Sequence, residues 1–467
     1  RRPPRAMPGY LDSLNERQRR AVCHENGGAL VLAGAGTGKT RVLTSRIAWL
    51  TGARGCSPRE VLAVTFTNKA AKEMRRRVCE LTPFPPGNFA PGTFHGVCHR
   101  MLRIHANAAG WDKNFQILDS SDQKTFVRRL LADDGIDAAE FPPAECVRYI
   151  NAAKDRGLRP GDISEQYARG QAMREIYDRY ENACRRENKM DFAELLLSAI
   201  DLLRGDGNLR AHYAARFRHI LIDEFQDTSP LQYRWLRLLD SGENCFFAVG
   251  DDDQSIYAFR GADPENMRRV QSELRAREII RLEQNYRSTG NILSAANTLI
   301  SANKNRLGKT LFTDAGDGAP ILLRRAAADL DEADDIAYAA KNEIADGARA
   351  DEIAVLYRTN AQSRLLEEAM RKYALPYRIY GGTRFFDRLE IRHALAYLRL
   401  AVADDRDALL RVINTPPRGI GAKTIESLEA HGDIFSALLR REYCLVGESG
   451  GGGEISWRPK SRDSPRC

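Results

Sequence analysis

The chain predicts an α/β fold in which parallel sheets flanked by helices are interrupted by helical insertions. Three observations carry that prediction. Ala29 to Thr44 reads as a short apolar strand, a glycine-crowded loop and a helix. Further apolar runs recur at 61–64, 219–222, 245–249 and 279–282, and each runs into a polar cluster. Between 109 and 198 the strand signal fades and charge-rich helical sequence replaces it, as expected of an inserted helical subdomain.

At 467 residues the chain exceeds a single core and suggests roughly three domains of ordinary size. Hydrophobic residues make up 43% and charged residues 29%, and no apolar run is long enough to cross a bilayer, so no membrane partner is expected. The 71 Lys and Arg against 63 Asp and Glu give a formal charge of +8, which permits a polyanionic partner without identifying one. The nine cysteines are scattered and never form a C-x-x-C pair, the usage of a reducing, cytoplasmic compartment. Cys98 with His95 and His99 matches no structural zinc spacing. The opening RRPPRAMPG is basic and Pro-rich without an apolar core, and reads as a disordered leader.

The first helix, around LNERQRRAV, contains Gln18, whose amide suits bidentate reading of an adenine edge and equally suits a solvated helix face. The loop Ala33, Gly34, Ala35, Gly36, Thr37, Gly38, Lys39, Thr40 then departs from G-x-x-x-x-G-K-[ST] only at Ala33. Its glycines let backbone N–H groups converge on a phosphate at the positive end of a helix. Lys39 can reach the outer phosphates, and the Thr40 hydroxyl can hold Mg²⁺. The strand at 61–64 ends in Thr65, Phe66, Thr67 and Asn68, where an aromatic could stack a base among hydroxyls and amides, or simply cap a helix. Gly92-Thr93-Phe94-His95 repeats that chemistry.

The strand at 219–222 ends in Asp223 and Glu224. Asp223 can hold Mg²⁺ opposite Thr40, and Glu224 can orient and deprotonate a water. Beyond the strand at 245–249, Gln254 suits sensing of a terminal phosphate, while Tyr257, Phe259 and Arg260 suit stacking of bases and holding of backbone. After 279–282, Tyr286 offers a face for a purine and Arg287 a guanidinium for a γ-phosphate. Strands at 321–323 and 353–357 are expected around a helix rich in Asp and Ala. Pro417 to Thr424, with Gly419 and Gly421, reads either as a helix-hairpin-helix turn approaching duplex phosphates or as a Gly hinge.

In order, LNERQRRAV, AGAGTGKT, TFTNKAAKEM, GTFH, LIDEFQDT, VGDDDQSIYAFRGA, LEQNYRST, VLYRTNAQSR and GGTRFFDRLEIRHALAYLRL closely resemble the motifs of the UvrD/Rep/PcrA family of superfamily 1 DNA helicases. The Ala33 departure is itself usual there, whereas Phe259 stands where tryptophan is common. The resemblance implies two RecA-like P-loop NTPase domains with ATP and Mg²⁺ between them, and single-stranded DNA and its junctions with duplex as partners. It implies a first RecA-like domain at 1–108 and 198–284 split by a helical insertion at 109–197. A second such domain would occupy 285–383, and a second insertion would begin at 384–440.

By matching positions, the resemblance assigns catalysis to Lys39, Asp223, Glu224, Gln254 and Arg287, with Arg287 as an arginine finger from the second lobe. Gln18, residues 33–40, Arg41 and Tyr286 would bind nucleotide, and Thr40 and Asp223 the metal. Thr65, Phe66, Thr67, Asn68, His95, Tyr257, Phe259, Arg260, Gly419 and Gly421 would bind DNA. Translocation 3′ to 5′, in repair or replication at the nucleoid, is implied by the resemblance alone. After about residue 441 the resemblance gives out into a Gly-rich tail expected to be disordered, and the expectation is of a family member truncated or shifted in frame early in its second insertion.

Overall fold

A computed structural model describes residues 9–25, 27–83, 89, 91–257, 261–263, 265–304, 306–380, 389–402, 404–421, 424–425, 443–447 and 455–459. Phe259, Arg260, Ala422 and Lys423 lie outside them. The chain divides into two compact units, 1–321 and 322–467.

The first unit is built on one six-stranded sheet. Its strands are β1 (Gly28–Ala33), β2 (Val61–Thr65), β3 (Gly92–Thr93), β6 (His219–Ile222), β7 (Cys245–Gly250) and β8 (Ala276–Leu282), in the spatial order β3-β2-β6-β7-β1-β8. Every pairing is parallel, so all six C-terminal ends lie along one edge. Ligands of open α/β sheets bind at that edge. Two further strands, β4 (Gln116–Ile117) and β5 (Lys189–Met190), form a short parallel pair of their own.

Side-chain alternation along a strand sorts the core into two layers. Leu30 and Leu32 of β1 join the cluster with Ile220, Ile222, Phe246 and Trp235 on one face, and Ala29, Val31 and Ala33 join Leu43, Ile47, Leu221 and Phe247 on the other. Because both faces are covered, β1 and β2 read as continuous apolar runs rather than as alternating ones.

Helices α1 (Glu16–Val22) and α2 (Lys39–Ala48) flank β1, and α3 (Asn68–Leu81) and α4 (Phe94–Ile104) follow β2 and β3. Thr67 and Thr93 cap α3 and α4, accepting from the Ala70 and Gly96 N–H groups at 3.1 Å each. The inserted helices are α5 (Ser120–Asp133), α6 (Pro143–Asp155) and α7 (Ala168–Arg186), and they close their own core around Phe126, Ile150, Tyr177 and Tyr180. Helix α8 (Phe192–Gly205), although close to the insertion in sequence, sends Leu195, Leu196 and Leu203 into the core beneath the sheet. Lys154 of α6 is buried against Asp191 Oδ2 and Glu194 Oε2, both at 2.8 Å, and so ties the insertion to α8. Helices α9 (Gly207–Arg216), α10 (Pro230–Leu238), α11 (Asn266–Glu273) and α12 (Gly290–Ser301) complete this unit.

The second unit contains α13 (Asp329–Ala345) and α14 (Ser363–Lys372), packed through Ala333, Ala337, Ala369 and Met370, and then α15 (Leu389–Leu400) and α16 (Arg406–Val412). The Asp- and Ala-rich helix is therefore present, but 321–323 and 353–357 are not strands. A parallel strand exists only through its ladder partners. Among the described residues these segments have none, and Leu323 and Leu356 are 98% and 93% exposed. Within 441–467, Tyr443–Gly447 (β9) and Ile455–Pro459 (β10) pair antiparallel, with Tyr443 opposite Pro459 and Gly447 opposite Ile455 in register. No helix among the described residues is long and apolar enough to cross a membrane.

Candidate functional site

The parallel sheet brings six of the singled-out segments to one edge. β1 ends at the buried Ala33, and the loop then passes through Gly36 at φ +71° and Gly38 at φ +87° before α2 begins at Lys39. L side chains rarely adopt that left-handed region. A Cβ at Gly36 would lie 2.5 Å from Asn285 Nδ2, and one at Gly38 would lie 2.9 Å from Gln18 Nε2. The first N–H groups of α2 have no intrahelical acceptor and point toward the loop, which makes an anion cradle at the positive end of the helix. Thr40 is half-buried and Arg41 exposed in the first turn of α2.

Opposite this loop stands the end of β6. The ammonium of Lys39 is 3.1 Å from Glu224 Oε2. Glu224 holds φ +50°, ψ +48°, a conformation that a non-glycine residue keeps only where its surroundings impose it. Asp223 is 6% exposed, and its Oδ1 is buried without a hydrogen-bond partner. Burial first, and the neighbouring Glu224 charge second, push its carboxyl up to about 7. An orphaned, desolvated carboxylate beside an anion cradle is what a divalent cation would relieve, so the donors present fit Mg²⁺. Asp227 is likewise pushed up to about 6 by burial and by Glu224.

Two residues that the sequence left unassigned organise these groups. Gln226, 2% exposed, donates from Nε2 to Glu224 Oε2 at 2.9 Å and accepts at Oε1 from the Asp251 N–H at 2.9 Å, joining the ends of β6 and β7. Its only local signal is its position two residues after Glu224. Asn285, also 2% exposed, donates to Ala35 O at 2.6 Å and accepts from the Arg287 and Ser288 N–H groups at 2.8 and 2.7 Å. Together with the bond from Tyr286 N–H to Gly36 O at 3.0 Å, this folds the segment after β8 onto the phosphate loop. Residues 285–321 thus pack with the first unit, and Arg287 sits exposed beside Gly36.

Gln18 is buried at the same place. Its amide donates to Thr37 O at 2.9 Å and accepts from the Asn15 N–H at 3.1 Å, leaving one N–H and one lone pair unused. Asn15 donates to the Tyr286 hydroxyl at 2.7 Å, which places that half-exposed ring beside α1.

At the end of β7, Gln254 Nε2 donates to Asp251 Oδ2. The aspartates 251–253 are the described cluster closest to a metal-ligand arrangement, but cations of this chain already fill it. Lys309 Nζ lies 2.5, 2.8 and 2.7 Å from Asp251, Asp252 and Asp253, and Arg306 grips Asp253 with two bonds of 2.7 Å. Burial depresses the Lys309 ammonium, and the three carboxylates outweigh it to hold the group above its usual range. Nothing local in RLGK signals this role.

The aromatic groups gather on the same edge. Phe66 and Tyr257 stack with centroids 5.3 Å apart and planes 25° apart. His95 lies edge-on to Phe192 at 6.0 Å, and burial lowers its pKa below the usual imidazole range. Phe192, 51% exposed, is a further aromatic that its position after the Asp191 cap did not advertise. Thr65 is 1% exposed and Thr67 is occupied as a cap, while Asn68 is exposed at the start of α3. In the second unit Gly419 turns at φ +69°, and the Ile420 N–H donates to Asn414 Oδ1 at 3.0 Å, next to Gly421.

Comparison with known proteins agrees with this architecture. The UvrD/REP helicase N-terminal domain family matches residues 14–275, and the UvrD-like helicase C-terminal domain family matches 280–440. The chain is 51% identical over 419 residues to DNA helicase II of Escherichia coli (strain K12), covering 89% of this chain and 58% of that protein. It is 48% identical over 424 residues to DNA helicase II of Haemophilus influenzae, covering 90% and 58%. It is 39% identical over 445 residues to the ATP-dependent DNA helicase PcrA of Staphylococcus aureus (strain COL), covering 94% and 61%. The chain thus spans about three-fifths of the length of these relatives. With the phosphate loop, the paired acids and the aromatic edge all in place on one parallel sheet, the chain belongs to the UvrD/REP helicase family.

Proposed function

We propose that this chain is an ATP-hydrolysing DNA translocase and helicase that moves 3′ to 5′ along single-stranded DNA and acts at single-strand to duplex junctions. The observation that carries the reading is the meeting of Lys39, Asp223 and Glu224 at a glycine loop that Asn285 straps from the other side. In this reading Gln18 and Tyr286 hold the adenine, and residues 33–41 cradle the phosphates. Mg²⁺ on Thr40 and Asp223 would neutralise phosphate charge. Glu224 takes the proton of the attacking water, and Gln254 and Arg287 contact the γ-phosphate. Phe66, His95, Tyr257 and, outside the described residues, Phe259 and Arg260 line the DNA track. Thr65, Thr67 and Asn68 border that track at the end of β2, and Gly419 and Gly421 approach the duplex.

A second reading, ATP and single-strand binding without processive unwinding, is favoured by one observation. Every residue of the ATP site lies within the first unit. Two assays separate the readings. Lys39→Ala is expected to abolish ATP hydrolysis that single-stranded DNA stimulates, and a rate indifferent to DNA would remove the motor reading. Unwinding of a 3′-tailed duplex upholds the helicase, whereas hydrolysis without unwinding upholds the second reading.

A further inference from the structure

The segment after α12 returns to the site and is fixed at several points. Arg281 donates to Gly308 O at 2.8 Å and to Leu307 O at 3.1 Å. Asn297 exchanges two bonds with the Leu311 backbone at 2.8 and 3.2 Å, and Phe312 bridges to Gln284. A Cβ on Gly34 would collide with the Leu311 side chain, so this strap also lies against the phosphate loop. From it Lys309 projects inward with its side chain 2% exposed, touching Asp251, Asp252 and Asp253 at once. The Leu307 N–H adds a bond to Asp252 Oδ2 at 2.7 Å.

Asp251 holds the turn through its backbone and its side chain: its carbonyl accepts from the Gln254 N–H at 2.9 Å, and Oδ1 accepts from the Asp253 N–H at 3.1 Å. Oδ1 meets Lys309, Oδ2 accepts from the Gln254 amide, and its N–H donates to Gln226, which in turn holds Glu224. A primary amide carries two N–H groups, so giving one to Asp251 sets the direction of the other. We propose that Lys309 is the positioning residue for Gln254 and Glu224, gathering the three carboxylates so that Asp251 presents its second oxygen to the Gln254 amide and its N–H to Gln226. Without the ammonium, the cation left among the described residues is Arg306 on Asp253, and the three adjacent carboxylates repel one another in a site from which water is largely excluded. The turn then opens and Gln254 loses its aim. This inference rests on the ATP reading above, in which Gln254 senses the terminal phosphate.

The test compares the full chain with Lys309→Met and Lys309→Arg. Three quantities are measured: hydrogen exchange at residues 250–257, the affinities for ATPγS and ADP, and ATP hydrolysis with oligo-dT. In Lys309→Met, exchange at 250–257 is expected to rise about tenfold with other segments unchanged. The ATPγS to ADP affinity ratio falls about fivefold with ADP affinity retained, because only the contact to the third phosphate is lost. The kcat falls about tenfold with KM within a factor of about three. Lys309→Arg restores most of the kcat, since it keeps the charge.

Unchanged exchange at 250–257, equal loss of both nucleotides, or an Arg variant no better than Met would overturn the proposal. If Lys309→Met does not fold, Asp251→Asn serves instead, because it leaves Lys309 two carboxylates and is expected to lower the same affinity ratio. If the unsubstituted chain binds neither nucleotide, the ATP reading fails on its own, and exchange at 250–257 still decides whether Lys309 positions the turn.

Discussion

Replacing Asn285 with alanine removes three hydrogen bonds from one buried side chain, those to Ala35 O and from the N–H groups of Arg287 and Ser288. At about 1 kcal/mol each, they amount to about 3 kcal/mol. The bond to Ala35 spans the site and, in the ATP reading proposed above, would serve nucleotide binding directly. The other two shape the turn that carries Arg287 and contribute mainly to stability. If about half of the total falls on closure of the loop, affinity for a fluorescent ATP analogue drops about tenfold, since 1.4 kcal/mol is one decade. The remainder lowers the thermal midpoint of the first unit by several degrees, at about 2–4 °C per kcal/mol for a domain somewhat smaller than this unit.

Asn285→Asp separates the two effects. It keeps the acceptor for both N–H groups but sets a carboxylate against the Ala35 carbonyl and near the phosphates. Its stability should therefore lie closer to that of the parent, while its nucleotide affinity falls below that of Asn285→Ala. Titration of the analogue beside thermal unfolding reads both quantities. An alanine variant that binds within about twofold of the parent and melts at the same temperature would refute the assignment of Asn285 as the strap of the phosphate loop.

Two other outcomes follow from the same geometry. Gly36→Ala places a Cβ 2.5 Å from Asn285 Nδ2 at a φ of +71°, where the left-handed conformation alone costs about 1–2 kcal/mol. Nucleotide affinity should fall at least about tenfold in the titration above, and an alanine variant with intact affinity would show the loop free to reshape. His219, at the start of β6, is held down to about 4 by burial and by the charges of Arg46 and Arg218, below its unfolded value near 6.5. The unfolded state therefore binds this proton more readily. The contribution of the neutral ring is fully present above about pH 6.5 and is lost as pH falls toward about 4. Urea unfolding at both ends of that window, compared with His219→Gln, isolates this component, and identical pH profiles for the two proteins would count against it.

The sequence by itself determined the elements and the polar groups at their ends, because those depend on spacing within a few residues. Apolar runs at 29–32, 61–64, 219–222, 245–249 and 279–282 are strands because both faces of this sheet are covered. The Gly-Lys-Thr triplet begins α2, and Asp223 and Glu224 stand at the end of β6, because a strand leading into a helix requires those backbone turns locally. The Lys39 to Glu224 contact joins two motifs that were each legible in the sequence.

Only the tertiary structure decided which distant groups complete them. Asn285 meets Ala35 across 250 positions, and Lys309 meets Asp252 across 57. Neither pairing leaves a periodic or local trace, because a hydrogen bond between loops depends on the order of strands in the sheet rather than on neighbours in the chain. The segments at 321–323 and 353–357 show the converse. Their apolar composition suits a strand, but a strand is a property of the ladder, and among the described residues no partner lies beside them. What the fold added to the recognisable motifs is the set of quiet polar side chains, Gln226, Asn285 and Lys309, that hold them in register. They do so by satisfying buried donors and carboxylates that no local segment could satisfy alone.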